Sequence, residues 1–309
     1  MKTLLVTGAS GYLGWHLSQL TQPDWQVYGT YLTQSLDLPG VKLEAVDMTD
    51  TDALKDFLQW LRPDAIIHTA AQSKPNLCEQ APDAAFAINV VATQWVAEYC
   101  ARADIPCVFT STDLVFDGQA APYEESAAPA PINLYGHQKA EAERRFLAIY
   151  PDGVVCRMPL MFGGPTPRAT CFLQEFVAQL QQSQPLKLFT DEYRTPIHIE
   201  DAARGLLLAL EQGQGILHLG GQQRISRYDF GLVMADVFGF SRDLILPSKQ
   251  ADVPMAASRP PDVSMVSDRA FGLGYAPRKV VEALQAIASD WPVQSNPAAP
   301  GSGGDAGLR

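Results

Sequence analysis

Short continuous apolar runs alternate, through the first half of the chain, with longer stretches whose apolar positions recur every three to four residues. Residues 4–7, 26–31, 43–46, 65–69, 107–110 and 154–157 predict strands. Residues 12–20, 52–61, 83–101 and 134–149 predict the helices between most of them. Strands that are apolar throughout, rather than at every second position, have both faces covered, and helices between them make the sheet parallel. The pattern predicts an α/β fold with a doubly wound parallel sheet (Rossmann), whose ligands bind at the carboxyl ends of the strands.

After Arg157 the rhythm changes. Pro159, Gly163, Gly164, Pro165 and Pro167 mark irregular chain. Helices over 171–182, 200–211 and 278–291 and a strand over 186–189 follow, and Ser226-Arg-Tyr-Asp229 has the form of a capping box opening a helix to about Phe238. Residues 1–158 are therefore expected to form a dinucleotide-binding domain, to which 199–219 return. Residues 159–291 are expected to form a smaller C-terminal α/β substrate-binding domain. The tail 292–309, rich in Pro, Gly, Ser and Ala, is expected to be disordered.

Composition removes several function classes. A chain of 309 residues, 47% hydrophobic, can bury a sizeable core. Its formal charge of −11 and the lack of a Lys/Arg run argue against a nucleic-acid partner. No stretch reaches transmembrane length, and Thr3-Leu4-Leu5-Val6 is too short for a signal segment, so no membrane is expected. Cys78, Cys100, Cys107, Cys156 and Cys171 show no metal-ligand spacing and read as reduced, packed thiols of a cytoplasmic protein. No metal site is expected.

Two segments carry chemistry. In Thr7-Gly8-Ala9-Ser10-Gly11-Tyr12-Leu13-Gly14, Gly8 allows a tight turn after strand one and Gly11 close approach of a pyrophosphate. Gly14 allows close packing of helix on strand, and the helix N-terminus offers free N–H groups. In Tyr135-Gly-His-Gln-Lys139 the spacing puts phenol and ammonium on one helix face, where the cation is expected to lower the phenol's pKa. A phenol so tuned exchanges a proton with a carbonyl or alcohol oxygen. The end of strand two, Gly29 to Ser35, has no acid to hold a ribose 2′-hydroxyl, which favours NADP and leaves NAD open. Asp47, beside Met48, is placed to accept from an adenine amine; Asp50 fits a helix cap better. Ala70 and Ala71 suit close approach to a cofactor, and His68 reads as a packed strand residue. Thr110, Ser111, Thr112 and Asp113 gather three hydroxyls and a carboxylate at the end of strand five.

With these segments the chain resembles extended short-chain dehydrogenases/reductases, and within them the branch holding dTDP-4-dehydrorhamnose reductase and the regulatory beta subunit of methionine adenosyltransferase. The strings are Leu61-Arg-Pro-Asp-Ala-Ile-Ile-His-Thr-Ala-Ala71, Ser111-Thr-Asp-Leu-Val-Phe-Asp-Gly118, Pro131-Ile-Asn-Leu-Tyr-Gly136 and Arg157-Met-Pro159, and the resemblance runs from Met1 to about Trp291. It implies Thr112 as catalytic hydroxyl, Tyr135 as acid, Lys139 as ligand of the cofactor ribose, and Asn89 as support of that lysine through water. It also implies Gly8, Ser10, Gly11, Tyr12, Leu13, Gly14, Asp47, Met48, Ala70, Ala71, Tyr135, Lys139 and Arg157 around the cofactor, and Asp113 and Arg194 toward substrate. The implied activity is NAD(P)H-dependent reduction of a nucleotide-linked 4-keto-6-deoxy sugar, as in dTDP-rhamnose biosynthesis, by a monomer or homodimer. Two features depart from those reductases: Leu114 stands where they have an aromatic, and Arg194-Thr-Pro-Ile-His-Ile-Glu-Asp201, with His198 near the domain junction, is closer to the regulatory-subunit and epimerase/dehydratase relatives. An epimerase or dehydratase, or an NADP-binding regulatory subunit without chemistry, are the alternatives.

Overall fold

The computed structural model describes residues 1–21, 24–33 and 36–291; the tail 292–309 lies outside the described residues. In chain order come β1 (Thr3–Thr7), α1 (Tyr12–Thr21), β2 (Gln26–Tyr31), β3 (Val41–Ala45), α2 (Thr51–Leu61) and β4 (Ala65–His68). Next are α3 (Pro75–Gln80), α4 (Pro82–Phe86), a π-helical turn (Ala87–Val91), α5 (Ala92–Ala103), β5 (Cys107–Thr112), α6 (Leu134–Ile149) and β6 (Val154–Met158). The remainder comprises β7 (Met161–Phe162), α7 (Phe172–Gln181), β8 (Leu186–Phe189), β9 (Tyr193–Arg194), β10 (Ile197–His198), α8 (Ile199–Gln212) and β11 (Gly215–His218). The last elements are β12 (Ile225–Ser226), α9 (Arg227–Phe238), β13 (Ile245–Ser248), α10 (Asp268–Gly272) and α11 (Val280–Asp290).

Seven parallel strands form one sheet in the order β11-β6-β5-β4-β1-β2-β3. Successive side chains of β1 enter opposite cores, as the two-residue period of a strand requires. Leu4 and Val6 pack with Leu13, Leu17, Ile67, Val108 and Leu206. Leu5 packs on the other face with Leu54, Ile66, Val96, Phe109 and Phe146. Every side chain of β4, β5 and β6 is buried, which is why those strands read as apolar runs. The chain order reverses between β1 and β4, opening a crevice at the strands' carboxyl ends.

Local signals set the helix ends. Asp50 caps α2, accepting from the N–H groups of Asp52 and Ala53 at 3.1 Å each. Ser226 Oγ accepts from the Asp229 N–H at 2.9 Å, and Gly239 ends α9 in the left-handed region. A third core, with Phe162, Leu173, Val177, Leu188, Phe230, Met234 and Leu284, unites α7, α9, α11 and the β8–β13 pair. The expected helix over 83–101 is wound as α4, the π turn and α5. Strand five continues through Thr112, two residues beyond its apolar run.

Candidate functional site

The turn between β1 and α1 is shaped by two glycines. Gly8 has φ +69°, and a Cβ there would lie 2.8 Å from Cα of Ala70. A Cβ on Gly14 would lie 2.3 Å from the carbonyl oxygen of Gly8, so α1 seats directly on the turn. Thr30 of β2 pins the turn from the side: its Oγ1 accepts from Gly8 N–H at 3.0 Å and its carbonyl from Ala9 N–H at 2.9 Å. A cavity of about 850 Å³ begins here. It is lined by Gly8, Ser10, Gly11, Tyr12, Leu13 and Gly14, then by Thr30 to Leu32, Asp47 and Met48, and the turn Thr69 to Lys74, and ends at Tyr135 and Lys139. Its volume, its side-chain-free glycine wall and the helix N-terminus fit a dinucleotide.

At the far end, Lys139 and Tyr135 project from α6. Asn133 Oδ1 caps that helix through Gly136 N–H at 2.8 Å. Gly136 is required by packing, since a Cβ would lie 2.2 Å from the carbonyl oxygen of Leu114. Lys139 is buried; Nζ donates to the carbonyl of Thr110 at 2.6 Å and lies 4.0 Å from the centroid of Phe109. Burial pulls its pKa down to about 7, against the charge of Glu143. The Tyr135 phenol is not acidified, contrary to the expectation from spacing. Burial first, then the charge of Asp113, pushes it above its ordinary value, and a hydrogen bond with Thr112 opposes this. Proximity on a helix face does not outweigh loss of water at both groups.

A second cavity of about 570 Å³ adjoins the first. Ser73, Ser111, Tyr135, Met158, Leu160, Met161 and Phe172 line both, so Tyr135 stands at their junction. Thr112, Asp113 and Arg194 line this second cavity only, together with Leu114, Phe176, Glu192, Arg227 and Arg259. Arg194 is buried, donates to the carbonyls of Tyr193 and Pro260 at 2.7 and 3.2 Å, and lies 3.8 Å from Asp113 and 3.5 Å from Glu192. Arg259 lies 3.7 Å from Glu192 on the other side. Arg227 stacks 4.0 Å from the centroid of Phe172; its Nη1 is shielded from solvent and has no hydrogen-bond partner among the described residues. Burial lowers the Arg227 pKa to about 10 and raises that of Asp113 to about 6. Three guanidinium groups thus face Glu192 and a carboxyl that holds its proton into mildly acidic pH, a net positive pocket inside a chain of charge −11.

Arg157, Asn89 and His198 line neither cavity. Arg157 does not line the cofactor cavity: it is buried, its Nη2 pairs with Glu143 at 2.8 Å, and its guanidinium lies 5.0 Å from the centroid of Phe116. Asn89 lines neither cavity; its amide is committed to Gln72 and Gln138. His198 caps α8 and accepts Arg278 Nη2 within 2.7 Å, away from both cavities. His68 is a packed strand residue, bonded to Thr7 and Thr93, with burial lowering its pKa to about 3. Asp47 fronts the cavity while its Oδ1 accepts from Thr49 N–H and hydroxyl at 2.8 and 2.7 Å. Arg227 and Arg259 were not singled out from sequence; isolated arginines in loops and at a helix start carry no spacing signal.

The family described as RmlD substrate binding domain matches residues 1–291. The chain is 34% identical, over 82% of its length and 86% of the other's, to the probable low-salt glycan biosynthesis reductase Agl14 of Haloferax volcanii. It is 30% identical to methionine adenosyltransferase 2 subunit beta of Xenopus laevis, over 83% and 78% of the two chains. The crystal structure of dTDP-4-dehydrorhamnose reductase from Bacillus anthracis, in complex with NADP, superposes with a TM-score of 0.84 at 23% identity, covering 94% of this chain and 100% of that one. Among the described residues no helix is long and apolar enough to cross a membrane.

Proposed function

The chain belongs to the RmlD substrate binding domain family, and from that premise we propose that it is an NAD(P)-dependent oxidoreductase that reduces a nucleotide-linked 4-keto-6-deoxy sugar. The observation that carries the reading is the placement of Tyr135 where the two cavities meet. When bound along the glycine turn, NADPH would supply the hydride that adds to the carbonyl carbon. Tyr135 donates its proton to the carbonyl oxygen, and its raised pKa keeps that proton in place at neutral pH until charge develops there. The Thr112 hydroxyl orients the same oxygen. Lys139, whose Nζ donates to the Thr110 carbonyl, would hold the nicotinamide ribose. The phenolate left by the transfer is reprotonated from solvent. Gly8, Ser10, Gly11, Tyr12, Leu13 and Gly14 take the pyrophosphate side, and Asp47, Met48, Ala70 and Ala71 the remaining wall. Lack of an acid at the end of β2 favours NADPH over NADH.

Arg194, Arg227 and Arg259 give the substrate cavity the charge that a sugar diphosphate requires, with Asp113 beside Thr112 reading a sugar hydroxyl. Residues 1–158 with 199–219 act as the dinucleotide domain and 159–291 select substrate. The deciding experiment follows NADPH and NADH oxidation against a panel of nucleotide 4-keto-6-deoxy sugars, with wild type and Tyr135→Phe. Steady turnover by wild type alone, with equal NADPH binding by both, is expected; wild-type rates in the variant reject the assignment. Likeness to the Xenopus beta subunit favours one second reading, an NADP-binding regulatory subunit. It predicts NADPH binding, no turnover on any sugar, and stoichiometric recovery of a methionine adenosyltransferase from lysate.

A further inference from the structure

We infer that Gln138 is a positioning residue, which, by orienting the Asn89 amide, holds the turn after β4 against the nicotinamide half of the dinucleotide cavity. The inference rests on reading that cavity as the dinucleotide site. Residues 69–74 follow β4 and line the cavity, and Ser73 borders the substrate cavity as well. Beyond His68 this backbone has left the sheet, so its polar groups need other partners. Asn89 supplies them on both sides of Gln72: Oδ1 accepts its N–H at 2.9 Å and Nδ2 donates to its carbonyl at 3.2 Å. Cys78 Sγ donates to the same carbonyl at 3.3 Å.

Gln138 decides which way that amide faces. Its Oε1 accepts from Asn89 Nδ2 at 2.9 Å, while its own Nε2 donates to the Pro82 carbonyl at 3.2 Å. A reversed Asn89 amide would set an NH₂ against the Gln72 N–H and a carbonyl against Gln138 Oε1, losing both contacts. Asn89 itself lies in the π-helical turn, a local rewinding that recurs at functional sites. Gln138 lies on α6 between Tyr135 and Lys139, so this contact couples the helix bearing the phenol and ammonium to the turn after β4 that lines the same cavity. The Asn89, Gln138 and Cys78 side chains are buried, where an unmet donor or acceptor is costly.

The test compares two probes: NADPH, and 2′-phospho-ADP-ribose, which lacks the nicotinamide ring. In Gln138→Met the NADPH Kd is expected to rise about five- to tenfold, the effect of one buried hydrogen bond, with 2′-phospho-ADP-ribose held within about twofold. Equal weakening of both probes, or wild-type NADPH affinity, overturns the inference. In a cycle with Asn89→Leu, the double variant should bind NADPH no more weakly than Asn89→Leu alone, and additive losses contradict an action through Asn89. If wild type binds neither probe, the reading of the cavity fails instead.

Discussion

Replacing Gly14 by alanine adds one methyl group where the structure leaves no room. The new Cβ would lie 2.3 Å from the Gly8 carbonyl oxygen and 2.9 Å from Ala9 Cα, both backbone atoms that no side-chain rotation can remove. Ordinary contact begins near 3.5 Å, so α1 must withdraw from the β1 turn by roughly 1 Å. Overpacking of that kind costs about 1–3 kcal/mol, and since about 1.4 kcal/mol is tenfold, dinucleotide affinity falls roughly 5- to 150-fold if the strain is released by moving the turn. If the turn holds and the strain stays in the fold, the same energy is read as lost stability. Titration of NADPH fluorescence, with a urea melt on the same samples, measures both. Gly164→Ala is the control: a Cβ there meets nothing within 4 Å, and both readouts should match wild type. A Gly14→Ala protein with unchanged affinity and unchanged urea midpoint would refute the steric argument.

Arg227→Met removes a buried guanidinium whose Nη1 has no hydrogen-bond partner among the described residues but keeps an apolar contact with Phe172. The KM for the sugar nucleotide should rise at least about tenfold while NADPH Kd stays level, and unchanged KM would take Arg227 out of the substrate site. Asp113 holds its proton to about pH 6 in the folded chain, against an ordinary value near 4 when unfolded. Its contribution is therefore complete below the unfolded pKa and lost as pH rises through the folded one. Urea melts from pH 4.5 to 7 should show wild type losing about 2 kcal/mol relative to Asp113→Asn, and parallel profiles would contradict the shift. Glu143→Ala leaves Arg157 buried without its carboxylate and should cost about 3–5 kcal/mol, whereas Glu143→Leu combined with Arg157→Met should recover most of it. A urea midpoint unchanged in the single variant would mean the pair is not buried in solution.

Legibility in the sequence followed burial. β4, β5 and β6 are covered on both faces and appear as unbroken apolar runs, and the β1–α1 turn announces itself by glycines at positions with a steric reason for them. The two-residue strands β7, β9, β10 and β12 are too short to carry a period, and β11 opens with a glycine and joins the sheet only through β6. The pairing of Arg157 with Glu143 is not legible in the sequence because it is a tertiary contact. Tyr135 and Lys139 were found by spacing, but spacing is silent about water, and loss of water sets the direction of both their shifts. Arg194 is legible through its motif, but Arg227 and Arg259 are not, because they come from separate segments that only the folded chain brings to the same cavity.

A partition touched from both sides makes two occupants interdependent. Met158, Leu160, Met161 and Phe172 present one flank to each compartment, so an occupant of either would pack on side chains that also bound the other. Any coupling carried by that shared wall would be reciprocal, the same factor in both directions.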